Sequence, residues 1–303
     1  MKQFDYENLL TQMCEHLGLP DAAALRQSGL LLVGGHDLFL QYDEVGESGV
    51  IQARLDMGMV APDQREWVWY RLLVSNFEWG TNGVLGWGLT PDGDHAALAA
   101  QYPVAPHTTG VDLANWLRKL VACADAYWQA LHEQRSIAGI LSLAPLQHVV
   151  FPALPGAANW DGLVEAFCDH VGFRDRTRLL ADGDTLAVEG VDMLLRHDKE
   201  VAPGRFEVRV DLGMEILASR EKLWQGLLYS NFLMGNGGRM MFSVHPERDA
   251  VVLTFQQDLP VDATGEEFAE LLRTIAGHVK GFWIEVRSMV SRADAVLQVE
   301  KRA

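Results

Sequence analysis

Two thiol–imidazole pairs, Cys14-Glu15-His16 and Cys168-Asp169-His170, are the residues with the most obvious chemical potential. Thiolates and imidazoles bind zinc, and together they make a nucleophile with its base. On a helix, however, residues two apart point about 200° away from each other, so one such pair cannot close on a single ion. A site would need both pairs to converge and further ligands that the sequence does not supply nearby. The pattern reads instead as small buried cysteines beside surface histidines. Asp43 with Asp198, and Asp56 with Asp211, form recurring carboxylate positions at strand ends or on a wet strand face. They read as turn caps and solvated partners of Arg54 and Arg209, since acid–base catalysis needs a pocket and an opposing group. Gly83 and Gly238 lie in loops without a following Lys-Ser/Thr, so no phosphate-cradling loop is indicated. The expectation is a chain without a catalytic residue, a cofactor or a metal.

These candidates come in pairs because the chain is written twice. Trp69, Leu72, Leu73, Ser75, Asn76 and Phe77 return as Trp224, Leu227, Leu228, Ser230, Asn231 and Phe232, a constant shift of 155. The same shift carries Leu40 to Leu195, Arg54 to Arg209, Pro91 to Pro246 and Trp128 to Trp283. A period this long describes two copies of one domain rather than a solenoid of short units, and 303 residues fit two domains. Two such copies can pack as a homodimer's subunits do.

The net charge is −16 and both copies share it, with 8 Lys/Arg against 17 Asp/Glu up to residue 154 and 17 against 24 beyond. So acidic a surface repels nucleic acid and anionic membrane and suits partners of basic character. Three scattered cysteines make no disulfide framework. The opening Met1-Lys2-Gln3-Phe4-Asp5 lacks the apolar run of a leader, and no stretch reaches the length of a membrane span. A cytoplasmic protein without membrane insertion is expected.

Periodicity places the elements. Leu9, Leu10, Met13 and Leu17 recur at helical spacing before Gly18 and Pro20. Strands are expected at 30–33, 38–42 and 50–57, the first two joined through Gly34-Gly35. Asp63 can cap a helix reaching residue 77, followed by strands at 84–89 and 96–102 and a helix at 111–134. The second copy repeats the order with helices at 160–171, 219–234 and 265–290 and strands at 184–188, 191–197, 205–212, 239–244 and 250–257. The fold class is therefore α+β, two tandem helix-β-β-β-helix-β-β-helix modules, each an antiparallel sheet with helices packed on it, forming an intramolecular pseudodimer. The domains run 1–135 and 159–303, with an apolar, proline-interrupted linker at 136–158. That linker either packs on the domain surfaces or fills a groove that otherwise receives a partner.

Leu72-Leu73-Val74-Ser75-Asn76-Phe77, then Gly83 through Thr90-Pro91, resembles the CesT-like (Tir chaperone) family of type III secretion chaperones. The second copy offers Leu227-Leu228-Tyr229-Ser230-Asn231-Phe232, Gly237-Gly238 and Phe242-Ser243-Val244-His245-Pro246. The opening helix with Gly18-Leu19-Pro20, Tyr42-Asp43-Glu44 after the second strand, and the acidity are similar to that family too. One departure stands out: such chaperones are usually single-domain homodimers, whereas this chain is fused and its copies differ, as at Trp87 against Phe242 and Tyr42 against His197. The resemblance implies a non-catalytic holder of the extended N-terminal segment of a secreted effector, monomeric because the fusion replaces the homodimer. The alternative on the same fold is a regulatory adaptor that sequesters a folded regulator.

The resemblance also locates two surfaces. The middle helix and the strand after it build the family's dimer interface, which points to Trp67, Trp69, Trp79, Trp87, Trp224 and Phe242, with simple core packing as the other reading. A client groove is expected along the first helices and second strands. Its candidates are Leu9, Met13, Leu38, Phe39 and Leu40 in the first copy and Leu163, Phe167, Met193, Leu194 and Leu195 in the second. Phe39 and Leu194 lie on the strand face opposite the core.

Overall fold

The computed structural model describes residues 3–19, 22–45, 48–79, 85–105, 107–133, 159–174, 179, 185–197, 204–213, 220–234, 240–258 and 262–300. The linker at 136–158, Gly83, Asp198 and Gly238 lie outside the described residues.

The first module comprises α1 (Gln3–Leu17), α2 (Ala22–Ser28), β1 (Leu30–Val33), β2 (His36–Val45), β3 (Ser48–Met59), α3 (Arg65–Trp79), β4 (Leu85–Leu89), β5 (His95–Val104) and α4 (Gly110–His132). The second comprises α5 (Trp160–Val171), β6 (Thr185–Val188), β7 (Val191–Arg196), β8 (Arg205–Asp211), α6 (Arg220–Met234), β9 (Met240–His245), β10 (Ala250–Asp258) and α7 (Gly265–Glu300). Each module builds one five-stranded antiparallel sheet, ordered β1-β2-β3-β5-β4 and β6-β7-β8-β10-β9. The α+β class follows as expected, and the matching strand orders fit a duplication.

The same local devices recur at the same places. Gly34 and Gly35, at φ 61 and 91, join Val33 to His36; Glu189 and Gly190, at φ 49 and 79, join Val188 to Val191. Type I′ hairpin loops, whose twist suits the strands, need positive φ at both positions. Thr109 and Asp112 close a capping box at α4, and Thr264 with Glu267 exchange the same two bonds at α7. The glycine that follows each cap lets the helix start against the first helix of its module: a Cβ on Gly110 would stand 2.3 Å from Gln12, and one on Gly265 2.2 Å from the Ala166 carbonyl. α1 thus packs on α4 and α5 on α7.

Three local expectations change. Asp63 does not cap α3; it sits in a single 3₁₀ turn, Pro62–Gln64, that precedes the helix. The short helix α2, too brief to show a periodicity, intervenes between α1 and β1. α7 continues to Glu300, well past the expected 290.

Candidate functional site

The middle helix of each module carries a polar side chain where a helix facing solvent on one side would need none. α3 buries Trp69, Leu72, Leu73, Val74, Ser75 and Asn76 in succession. A helix apolar on all sides is covered on all sides, and α3 is covered by β4 of its own sheet and by α6 and β9 of the other module. α6 does the same in reverse, packing on β9, α3 and β4.

Asn76 and Asn231 sit at the centre of this joint. The Asn76 amide donates to the Trp87 carbonyl at 2.9 Å, and its oxygen accepts from the Trp87 N–H at 2.7 Å. Asn231 brackets Phe242 with the same two bonds, at 2.9 and 2.7 Å. Each amide then reaches across: Asn76 to the Phe242 carbonyl at 3.5 Å and Asn231 to the Trp87 carbonyl at 3.3 Å. The residues exchange under the shift of 155, so the contact set is isologous in the sense of a twofold interface.

Two arginine–phenylalanine arms flank the asparagines. The Arg54 guanidinium lies 5.2 Å from the Phe232 ring, and the Arg209 guanidinium 4.4 Å from the Phe77 ring, again partners under the same shift. Arg209 also donates to the Phe77 carbonyl at 3.2 Å and pairs with Glu207, both side chains being 7% exposed. Burial raises the Glu207 pKa despite that arginine. Gln52 occupies the place of Glu207 in the first module. The joint closes tightly because β4 carries small residues: a Cβ on Gly86 would stand 2.6 Å from the Met241 sulfur, and one on Gly88 2.9 Å from the Phe232 nitrogen.

The aromatic residues expected at an interface divide into groups. Trp224 is there, its ring 5.9 Å from Tyr70 of the other module. Trp87 and Phe242 contribute backbone to the joint while their rings turn into their own modules, Trp87 onto Tyr127 at 5.0 Å and Phe242 onto Phe282 at 6.2 Å. Trp69 is fully buried. Trp67 is half-buried beneath Arg71, at 5.3 Å, and the Trp79 side chain lies outside the described residues. The asparagines and arginines were not expected there. A buried, helix-disfavouring asparagine amid leucines, repeated at a fixed shift, was the available signal.

The residues with chemical potential take structural places. Cys14 and Cys168 are buried while His16 and His170 face solvent. Among the described residues, no three His, Cys, Asp or Glu gather as a metal would require. Asp56 caps the Gly58 N–H at 2.7 Å, at the bulge in β3, and holds His95 Nδ1 at 3.0 Å. Asp211 caps the Gly213 N–H at 2.8 Å and pairs with Arg248 at 2.7 Å. Asp43 accepts from Gln41 and Gln52. Turn capping is as expected. The expected solvated partnership with Arg54 and Arg209 is replaced: both arginines point into the joint, where phenylalanine rings receive them.

Of the expected groove, Leu9, Met13, Leu38, Leu40, Leu163, Phe167, Met193 and Leu195 are at most 7% exposed and belong to the core. They lie on the strand faces and helix sides turned toward each other, so they support a surface from beneath. Phe39 and Leu194, on the opposite pleat, are only half-buried. Phe39 and the edge of Leu40 line an open cavity of about 540 Å³ between α1, α2 and β2, together with Tyr6, Leu10, Leu25 and Tyr42. Tyr6 stacks on Tyr42 at 4.6 Å, and burial, then Tyr42, pushes the Tyr6 hydroxyl up to about 12. Glu7 and Arg26 face each other at 3.6 Å on its rim. Beside it runs β1, which among the described residues pairs only with β2 and exposes Leu30 and Leu32 at 55% and 59%. No helix among the described residues is long and apolar enough to cross a membrane.

Residues 8–127 match the family model of the Tir chaperone protein (CesT) family. The first module is thus similar to that family over most of its length, in line with the resemblance carried by its element order and Leu72 to Phe77. A search among curated proteins returns no match.

Proposed function

We propose that this chain is a non-catalytic cytoplasmic chaperone that binds the extended N-terminal segment of a type III secretion effector and keeps it competent for secretion. The two modules take the places of the two subunits of a dimer, so the chain works as a monomeric pseudodimer with domains at 1–135 and 159–303. The observation that carries this reading is the division of labour between the two edges of the first sheet. One edge, β4, is sealed into the reciprocal joint, and the other, β1, pairs among the described residues with β2 alone and lies beside a cavity. An extended client supplies main-chain groups that pair with a strand edge and alternating apolar side chains that enter pockets. It loses conformational entropy on binding, which keeps the affinity low enough for release. No chemical step is needed.

Purification of the chain from its native cytoplasm, followed by limited proteolysis of what accompanies it, tests this. Protection of one extended N-terminal fragment of a secreted protein is the expected outcome. A globular regulator surviving intact would replace the reading with that of an adaptor on the same fold.

A further inference from the structure

We infer that the two modules are not equivalent toward the client: the first alone receives its apolar side chains, while the second is closed by its own residues. This rests on the chaperone reading and goes beyond it by assigning the site to one copy. Two independent places carry it.

The first is the edge strand. β1 and β6 occupy the same edge of their sheets, and Leu30 and Leu32 correspond to Thr185 and Ala187. Both pairs are exposed, but the first presents two leucine side chains to solvent and the second a hydroxyl and a methyl. Exposed leucines on a strand edge favour association, and natural edges avoid them unless a partner covers them.

The second place is the aromatic stack over the second strand. Along the opening helices the shift is 154, as Cys14 to Cys168 shows, so Tyr6 corresponds to Trp160 and the Tyr6–Tyr42 stack to Trp160–His197. In the first module that stack borders the open cavity of about 540 Å³. In the second the larger indole is 5% exposed and packs on Phe206 at 5.5 Å and edge-on to Phe268 at 5.9 Å. The first module has Ile51 and Leu113 at those two places. Trp160 supplies from within the ring that a client side chain supplies from outside.

The occupant is an extended, basic segment of an unfolded protein with apolar residues at every second position. Its main chain continues the sheet beyond β1, its apolar side chains meet Leu30, Leu32 and the cavity, and its cations suit a copy carrying 8 Lys/Arg against 17 Asp/Glu.

The test uses the full chain and a blocked heptapeptide, Lys-Leu-Thr-Phe-Thr-Leu-Lys, in isothermal titration. One peptide should bind per chain. Exchanging the edge residues for those of the second module, Leu30→Thr with Leu32→Ala, should weaken binding at least about tenfold. The reverse graft, Thr185→Leu, Ala187→Leu and Trp160→Tyr, should raise the stoichiometry to two. The first exchange touches only exposed positions, so it reads binding rather than folding. Unchanged affinity after it, two peptides on the parent chain, or a graft that stays at one would each overturn the asymmetry while leaving the chaperone reading intact. A parent chain that binds no extended peptide and protects no fragment would overturn both.

Discussion

Asn76 shows how one side chain can fix a joint. Fully buried, it satisfies both backbone groups of Trp87 and reaches the Phe242 carbonyl of the other module. Asn76→Ala removes the partners and leaves buried polar groups behind, so a loss of about 2 to 3 kcal/mol in urea denaturation is expected. Asn231→Ala should cost a similar amount, and the double variant more than the sum, because each amide still serves the shared Trp87 and Phe242 carbonyls when the other is removed. His95 gives a pH dependence. Asp56 accepts from its Nδ1 at 3.0 and 3.1 Å and, against the pull of burial, raises its pKa above 6.5. The folded state thus favours the protonated ring: the contribution is complete below pH 6.5 and is lost as pH rises through the elevated value. Urea midpoints measured between about pH 5.5 and 8 should fall less steeply in His95→Gln than in the parent chain. The sequence announced Asn76 and Asn231 through their recurrence but not their role. A role in a joint depends on which elements meet, and no spacing within one copy records that.

Elements were the most legible level. β1 spans the apolar run and α5 the helical spacing that the sequence marks at 30–33 and 160–171, and each turns one side to the core and one to water. α3 and α6 were located too, but their covering was not: the run of consecutive buried residues from Leu72 to Asn76 reports burial without naming the partner. The arginines of β3 and β8 misled for a related reason. Alternation puts Arg54 and Arg209 on the face away from the core, which in a lone sheet is wet; here the other module covers it. The two arms are unequal, since Glu207 is buried with Arg209 while Gln52 stands at the equivalent place near Arg54. Arg209→Met strands a buried carboxylate and should cost about 3 kcal/mol or more. Arg54→Met should cost only about 1 kcal/mol. Thermal denaturation of the two variants would show the ranking, and equal losses would contradict the assignment of Glu207 as a buried counter-charge.

At the scale of the molecule, a duplicated chain has combined a nearly symmetric joint with unequal outer surfaces. The shared residues lie where the modules face each other: asparagine with asparagine, arginine with phenylalanine. The copies diverge within the joint as well, at Gly86 against Met241 and Gln52 against Glu207, and on the outer surfaces at Leu30 against Thr185 and Tyr6 against Trp160. A net charge of −16 favours solubility and the approach of basic rather than acidic partners.

The clasp itself can be separated from the tether that accompanies it. A protease site placed within 136–158 and cut to completion leaves two fragments held together by the joint around Asn76, Asn231, Arg54 and Arg209, and light scattering on a sizing column then weighs the particle. One species at the chain mass of 33.7 kDa is expected, before and after cutting. Two species of about half that mass after the cut, or a particle of twice the mass before it, would contradict a self-contained pair of modules.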